Sequence, residues 1–349
     1  MDNDTIEVRL DERFEEGRLA DYLRDKLPGA ENPLQVRQFG GGAANLTYLL
    51  DFGTHEYVLR RPPLGPVAKS AHDMAREYKV LSVLHQALPS APKAFLYCDD
   101  VDVIGADFFV MERLHGVVVR KSMPETFAGM PDAARRMSGA LVDALAAFHA
   151  VDYEAIGLGD LGRPDGFLAR QIDGWYRRWN HAKIEDLDEM DRLHRWLQDN
   201  LPATSMFSLV HNDYKLDNVM FAEDDPGHVV GIFDWDMCTL GDPLSDLGAL
   251  LCYWSEPTDP AYYRAMAMMP TEDMGFMTRD ELVARYEVVN GRSLTNINFY
   301  HALGLFRVSV IIAQIFIRFH RGQTQDKRFA AFGRMIPLMA KVGLEVARG

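Results

Sequence analysis

Hydrophobic and polar residues alternate in short runs over the first third of the chain, a pattern that predicts β-strands. The runs lie at residues 34–39, 46–52, 56–61, 93–98 and 108–114. One helix is predicted among them, from about Ala71 to Gln86, with Ser70 as its N-cap. The first third is therefore predicted to be a five-stranded antiparallel sheet with one helix.

From about residue 131 the hydrophobic positions recur every three to four residues, which is the period of an α-helix. The first helix of this kind ends near His149. Further helices are predicted at 166–181, 186–200, 279–289, 298–320 and 328–348. A β-rich interruption lies at 207–236. The pattern thus predicts a β-rich lobe at residues 1–114 and a mostly helical lobe at residues 115–349.

Charge and cysteine content narrow the functional classes. The 349 residues carry a formal net charge of −14, which argues against a nucleic-acid partner because phosphate binding needs clustered Lys and Arg. Cys98, Cys238 and Cys252 have no metal-ligand spacing, and so few thiols fit a reducing cytoplasm. No apolar signal-peptide core begins the chain. The most apolar stretch, 303–316, is interrupted by Arg307 and predicts a buried helix, so no membrane association is expected.

The strongest chemical signal is the segment HNDYKLDN at 211–218, followed by IFDWD at 232–236. Phosphoryl transfer requires an oriented nucleophile and a metal that neutralises the triphosphate charge. The pattern supplies one carboxylate, at Asp213, for the hydroxyl, and an Asn and a second carboxylate, at Asn218 and Asp234, with the oxygen ligands that Mg²⁺ prefers. The spacing matches the catalytic loop and metal-binding Asp of protein kinases. The alternative is a solvated turn in which this spacing arises by chance.

The motifs HNDYKLDNVMF and GIFDWDMCTLGDPLSDLG closely resemble the aminoglycoside phosphotransferase and choline kinase superfamily. The segments VLRRPPLGP and AHDMAREYKVL look closest to the kinase-like domain fused to some acyl-CoA dehydrogenases. The resemblance implies a bilobal, protein-kinase-like α+β fold with a small antiparallel-sheet N-lobe and a large helical C-lobe. It implies that Asp213 is the catalytic base or hydroxyl-orienting residue and that Asn218 and Asp234 bind magnesium. His211 would brace the catalytic loop.

The nucleotide is expected to bind in the N-lobe. Gly40, Gly41 and Gly42, with Asn45, lie between two predicted strands, where backbone N–H groups can approach phosphates without Cβ hindrance. A plain hairpin turn is the alternative. Protein kinases place a lysine in the third strand, where this chain has Arg60.

We expect Arg60 to contact the α- and β-phosphates and Glu77, on the following helix, to pair with Arg60. An exposed basic strand end is the alternative. The backbone between Glu112 and Leu114 is expected to pair with adenine, although a plain edge strand explains the same residues.

Two further features have two interpretations each. Asp242 and Asp246 in GDPLSDLG either brace the site through hydrogen bonds or begin a helix. Trp175, Tyr176 and Trp179 either line a substrate pocket or pack between helices.

The sequence thus predicts a cytoplasmic kinase that uses ATP and Mg²⁺ to phosphorylate a hydroxyl of a small molecule. The resemblance implies a hydroxyacyl-CoA or related hydroxy acid as acceptor, and aminoglycosides, choline and homoserine are acceptors in the wider superfamily. A catalytically inactive nucleotide-binding pseudokinase is the alternative, and Arg60 at the lysine position is its main support.

Overall fold

The structure is a computed structural model that describes residues 4–40, 45–64, 73–203, 206–267, 269–272, 275–324 and 326–349. The chain divides into two compact units. Unit 1 comprises Met1–His115 and Gly231–Cys238, and unit 2 comprises Gly116–Val230 and Thr239–Gly349. The domain boundary between residues 114 and 115 stays a prediction. The segment that carries Asp234 groups with unit 1, although that boundary assigned it to the helical lobe.

The described part of unit 1 contains a six-stranded antiparallel sheet with the order β1-β2-β3-β4-β6-β5. Its strands are β1 (Thr5–Ile6), β2 (Gln35–Phe39), β3 (Leu46–Asp51), β4 (Glu56–Arg61), β5 (Ala94–Cys98) and β6 (Phe108–Glu112). The five predicted strands are confirmed, but the predicted strand number is wrong because β1 pairs with β2 at the edge. A two-residue strand is too short to show alternation.

The described part of unit 1 also contains more helices than the single one predicted. They are α1 (Glu16–Leu23), α2 (Met74–Leu84) and α3 (Val101–Ile104). α1 buries only Leu19 and Leu23, so its hydrophobic pattern is too brief to indicate a helix. The N-cap of α2 is Asp73, whose side chain accepts a hydrogen bond from the Arg76 N–H at 3.0 Å. Ser70, the predicted cap, lies outside the described residues.

Unit 2 is mostly helical. Its described helices are α4 (Ala133–His149), α5 (Phe167–Ala182), α6 (Asp188–Asp199), α7 (Leu244–Tyr253), α8 (Ala261–Arg264), α9 (Arg279–Asn290), α10 (Ile297–His320) and α11 (Phe332–Arg348). The helices predicted from the 3.6-residue period are confirmed, with α11 beginning four residues later than predicted. The residues before α11 form a short 3₁₀ helix, Lys327–Ala331. α8 was not predicted because four residues give no measurable period.

Helix α10 forms the centre of the unit 2 core. Gly248 on α7 meets it so closely that a Cβ there would lie 2.3 Å from the Tyr300 backbone. α10 is long and apolar enough to cross a membrane, but 56% of its most apolar window is buried inside the structure. Helix packing therefore accounts for its apolar character.

Short strands fix the ends of the segment predicted to be catalytic. The strands, numbered in chain order, are β7 (Val117–Val118), β8 (Ser208–Val210), β9 (Val219–Phe221), β10 (Val229–Ile232) and β11 (Thr239–Gly241). β8 pairs antiparallel with β11, and β9 pairs antiparallel with β7. Residues 211–218 therefore form the connection between β8 and β9, and Asp234 follows β10 by two residues.

Candidate active site

The Asp213 carboxylate is held by two side chains of its own loop. Asn218 Nδ2 donates to the Asp213 backbone oxygen at 2.8 Å and to Oδ2 at 3.1 Å. Lys215 Nζ also donates to Oδ2, at 2.5 Å. The structure thus brings Asp213 and Asn218 together as predicted, while Lys215 was not anticipated. Its position two residues after Asp213 was the available signal, because so short a separation keeps a long lysine side chain within reach of the carboxylate.

Asp246, on α7, holds the backbone that precedes Asp213. Its Oδ2 accepts the His211 N–H at 2.6 Å, and its Oδ1 accepts the Asn212 N–H at 2.7 Å. Asn212 has a φ of 63°, in the left-handed region that Asn tolerates better than most residues. Of the two interpretations of Asp246, these contacts support bracing.

Asp246 is itself buried and hydrogen-bonded to a histidine. His149 Nε2 donates to Asp246 Oδ2 at 3.2 Å, while Tyr286 donates its hydroxyl hydrogen to His149 Nδ1 at 2.7 Å. Burial alone would raise the pKa of Asp246, but the His149 hydrogen bond and the nearby His211 lower it below its ordinary value. The carboxylate therefore stays ionised and able to accept all of these bonds.

His211 and Asp242 also have contacts that agree with structural roles. His211 is fully buried, and its Nδ1 accepts the Asp213 N–H at 3.2 Å. Asp242 accepts the Leu244 N–H at 3.0 Å, which fits a helix start, and it also accepts the Tyr300 hydroxyl at 2.9 Å.

Asp217 is an acidic group that the sequence analysis missed. Lys215 Nζ lies 3.8 Å from its Oδ1, so this lysine is located between two carboxylates of one loop. Burial raises the pKa of Asp217, and the positive charge of Lys215 opposes that shift.

In unit 1, Arg60 lies between two carboxylates. Its Nε is 3.3 Å from Glu77 Oε1, so the expected ion pair is present, and its Nη2 donates to Asp234 Oδ1 at 3.1 Å. Arg60 and Glu77 are buried, while the Asp234 side chain is 31% exposed. The alternative of an exposed basic strand end does not fit this burial.

The electrostatics of this group are set by burial and by the number of acids. Burial raises the pKa of Glu77 to about 7; Arg60 opposes the shift, and Asp234 and Asp236 add to it. Burial would lower the pKa of Arg60, but Glu77 and Asp234 raise it overall. Arg60 therefore remains charged, while Glu77 gains and loses a proton near neutral pH.

Asp234 is held in a strained backbone conformation. Its φ is 68°, in the left-handed region, which costs about 1 kcal/mol for a residue with a side chain. The turn that follows is fixed by Trp235, whose indole N–H donates to the Ile232 carbonyl at 2.7 Å and whose side chain is buried.

The structure describes some of the other residues that were predicted to bind nucleotide. Gly41 and Gly42 lie outside the described residues, and Gly40 precedes them at the end of β2. Asn45 is buried immediately before β3. Glu112 ends β6, and its N–H donates to the Lys93 carbonyl at 2.8 Å, so Leu114 lies beyond the strand that was predicted to include it.

Asn218 and Asp234 each have a side-chain oxygen that suits a magnesium ion bound mainly by its substrate. Within the described residues, no group of three or more His, Cys, Asp or Glu side chains could hold a metal ion. Mg²⁺ in phosphoryl-transfer sites usually takes one or two protein oxygens, with water and phosphate completing the octahedron. The Asn218 amide nitrogen makes both bonds to Asp213, so its amide oxygen has the chemistry of such a ligand, as has the part-exposed Asp234 carboxylate.

Comparison with known proteins places the chain in a family. Residues 35–278 match the model of the phosphotransferase enzyme family. Acyl-CoA dehydrogenase family member 11 of Gallus gallus is 33% identical over 356 residues, covering 99% of this chain and 45% of the relative. The human protein of that name is 31% identical over 357 residues, with the same shares covered. The chain therefore spans about half the length of these curated relatives.

Solved structures show the same fold. A crystal structure of a Ralstonia eutropha protein proposed to be an aminoglycoside phosphotransferase is 32% identical, has a TM-score of 0.81 and covers 96% of this chain and 99% of its own. Choline kinase from Cryptosporidium parvum is 10% identical, with a TM-score of 0.65 and 96% of each chain covered. The predicted kinase-like α+β fold is confirmed. The chain belongs to the phosphotransferase enzyme family, as its motifs indicated.

Proposed function

We propose that this protein is an ATP- and Mg²⁺-dependent small-molecule kinase that transfers the γ-phosphoryl group of ATP to an acceptor hydroxyl. The observation that carries the proposal is the chain of ion pairs from Glu77 through Arg60 to Asp234. It combines a buried cation suited to phosphate oxygens, an acid that orients that cation and a part-exposed carboxylate suited to Mg²⁺.

Asp213 orients the acceptor hydroxyl and accepts its proton as the oxygen attacks phosphorus. Asn218 and Lys215 support this role because they fix the carboxylate through hydrogen bonds to Oδ2. Asn218 and Asp234 would hold Mg²⁺, which supplies neutralisation of the triphosphate charge. The role rests on these contacts and on the family.

The triphosphate is bound by Arg60 together with Gly40, Gly41, Gly42 and Asn45. Arg60 suits this role because its planar guanidinium can form two parallel hydrogen bonds to phosphate oxygens. Adenine pairs with the backbone between Glu112 and Leu114. Since the Glu112 N–H is engaged by Lys93, its carbonyl oxygen and the Leu114 backbone are the groups available to the base in this proposal.

A hydroxyacyl-CoA is the acceptor that we propose, in a cytoplasmic setting. The matched relatives are named as acyl-CoA dehydrogenases, and this chain covers 45% of their length, so a kinase unit beside such a dehydrogenase unit would act on related thioesters. Cys98, Cys238 and Cys252 are buried thiols, which agrees with a reducing compartment.

Calorimetry with a non-hydrolysable ATP analogue, with and without Mg²⁺, tests the first half of the proposal. Magnesium-dependent binding is expected. ADP release with a panel of hydroxyacyl-CoAs, free hydroxy acids, choline, homoserine and an aminoglycoside tests the second half. Absence of nucleotide binding by folded protein contradicts the proposal, and ADP release with a different panel member corrects the acceptor.

A pseudokinase is the second candidate, and one contact favours it. Arg60 stands where protein kinases have lysine, and it donates to Asp234, the carboxylate expected to bind metal. This ion pair would compete with Mg²⁺ for the carboxylate. Nucleotide binding that is independent of Mg²⁺, with no ADP released for any acceptor, would favour this candidate.

A further inference from the structure

Two arginines lie against one tryptophan in unit 2. Trp175 and Arg178 are three residues apart on α5, so they share a face of the helix, and the Arg178 guanidinium carbon is 4.3 Å from the Trp175 ring centre. Arg307, on α10, approaches the same ring to 5.3 Å. Trp175 is buried and its indole N–H donates to Gln171 Oε1 at 3.1 Å, so the ring is a fixed platform. We refer to Trp175, Arg178 and Arg307 as the arginine–tryptophan cluster.

The positive charge of this cluster is not balanced at Arg178. Partial burial lowers the pKa of Arg178, and the charged groups that lower it further are Arg307 and Arg177. Among the residues that the structure describes, the charged groups that act on Arg178 are these two arginines. The concentration of positive charge is a local departure in a chain of net charge −14. Like charges near one another repel, and an anion that binds beside Arg178 would offset this repulsion.

The cluster connects to the loop of Asp213. Arg307 acts electrostatically on the Tyr253 hydroxyl, where its charge opposes the raised pKa that burial causes. Lys215 Nζ lies 5.6 Å from the Tyr253 ring centre and donates to Asp213. Arg307 and Lys215 are therefore both cations that act near Tyr253, and both belong to unit 2 with Asp213.

We propose that the arginine–tryptophan cluster binds an anionic group of the acceptor, a phosphate or a carboxylate, at a distance from the reacting hydroxyl. The inference rests on the proposed function and adds the residues that select the acceptor. Arg178 is an exposed residue whose guanidinium is partly desolvated, and this planar group can donate two parallel hydrogen bonds to such an anion. Tyr176, by contrast, stacks on His194 with ring centres 3.7 Å apart, so it serves helix packing.

Calorimetric titration of wild type and Arg178→Gln tests the site. The protein is first mixed with excess Mg²⁺ and non-hydrolysable ATP analogue, so that the nucleotide site cannot capture the adenine of the ligand. The probes are 3-hydroxybutyryl-CoA, free 3-hydroxybutyrate and the uncharged thioester 3-hydroxybutyryl-pantetheine. Arg192→Gln is the matched control, since Arg192 is an exposed arginine on neighbouring α6 that lies 3.5 Å from Asp188.

Loss of a charge-assisted hydrogen bond should raise the Kd of the CoA thioester about tenfold or more in Arg178→Gln. Arg192→Gln should bind it as wild type does, and the uncharged thioester should bind all three proteins alike. If Arg178→Gln changes the Kd of the CoA thioester alone, the group bound by the cluster is a phosphate. If it also changes the Kd of the free acid, that group is a carboxylate. An equal effect in both variants, a parallel loss for the uncharged thioester, or no binding of either anion to wild type overturns the site.

This design separates the site from the proposed function. Binding of anions that depends on Arg178 in a protein that releases no ADP would refute the kinase and leave the anion site intact. ADP release with an uncharged acceptor, with no Kd that depends on Arg178, would refute the anion site and leave the proposed kinase activity intact.

Discussion

The Arg60 guanidinium donates to the Asp234 carboxylate, with Nη2 and Oδ1 3.1 Å apart, across 174 residues of sequence. Arg60 is also the cation beside buried Glu77. A single side chain therefore ties the central strand of the unit 1 sheet, the α2 helix and the turn after β10 together. This relationship predicts effects on stability as well as on nucleotide binding.

Replacement of Arg60 by Met should destabilise the protein by about 3 kcal/mol, because removal of one member of a buried pair leaves a buried charge without its partner. The free energy of unfolding from urea titration at pH 7.5 measures the effect. Arg24→Met is the control, since Arg24 and Asp21 form an exposed pair whose loss should cost under about 1 kcal/mol. Equal losses in the two variants would contradict the buried pairing.

Glu77 should make the nucleotide-free protein less stable as pH rises. Its pKa in the folded protein is about 7, above the 4.5 of an ordinary glutamate, so the folded state binds the extra proton. The resulting stabilisation is complete below about pH 4.5 and disappears as pH rises through 7. Relative to Glu77→Gln, wild type should therefore lose up to about 3 kcal/mol over that interval.

Urea titrations of both proteins at several pH values from 4.5 to 8 provide the measurement. The comparison with Glu77→Gln cancels the titration of the other groups. Parallel stability curves for the two proteins would show that the environment of Glu77 does not favour the protonated form.

The Arg60–Glu77 pair could be predicted because strand β4 and the helix after it match the protein-kinase pattern in which a strand lysine pairs with a helix glutamate. Glu77 lies in the first turn of that helix. The strands and long helices were predictable from the period of their hydrophobic residues. β1 was not, because two residues carry no period, and its place depends on pairing with β2.

Contacts between elements that are distant in sequence could not be predicted. The hydrogen bonds between Asp246 and the backbone of His211 and Asn212 join residues 34 or 35 positions apart. The motif GDPLSDLG suggested that Asp246 braces the site, but it did not indicate which groups Asp246 contacts. Trp175 meets Arg307 only because α5 packs against α10. Such contacts follow from tertiary packing, which cannot be read from the pattern of a single sequence.

Asp246→Asn should destabilise unit 2 by about 3 kcal/mol, because an amide offers one acceptor oxygen where two buried N–H groups and His149 need the carboxylate. Asp143→Asn is the control, since Asp143 forms a part-exposed pair with Arg285. Thermal unfolding followed by circular dichroism measures both. If Asp246→Asn unfolds at the same temperature as Asp143→Asn, the Asp246 carboxylate does not hold the loop.

The pKa of Asp246 makes the difference in stability between wild type and Asp246→Asn depend on pH. Because it lies below the ordinary 3.8, the contribution of Asp246 to stability is present above about pH 4 and disappears as the folded-state carboxylate is protonated at lower pH. The difference between wild type and Asp246→Asn should therefore narrow as pH falls below 4.

Asp213→Asn should lower kcat by at least about 100-fold while leaving the affinity for the ATP analogue within about threefold of wild type, because a positioned base acts on the acceptor hydroxyl and not on nucleotide binding. The amide still accepts from Lys215 and Asn218 through its oxygen, so the loop should keep its fold. ADP release gives kcat, and calorimetry gives the affinity. Asp224→Asn, an exposed change in the loop after β9, is the control and should match wild type in both. Equal losses of kcat and nucleotide affinity, in a variant with an unchanged circular dichroism spectrum, would assign Asp213 to nucleotide binding instead of to the acceptor.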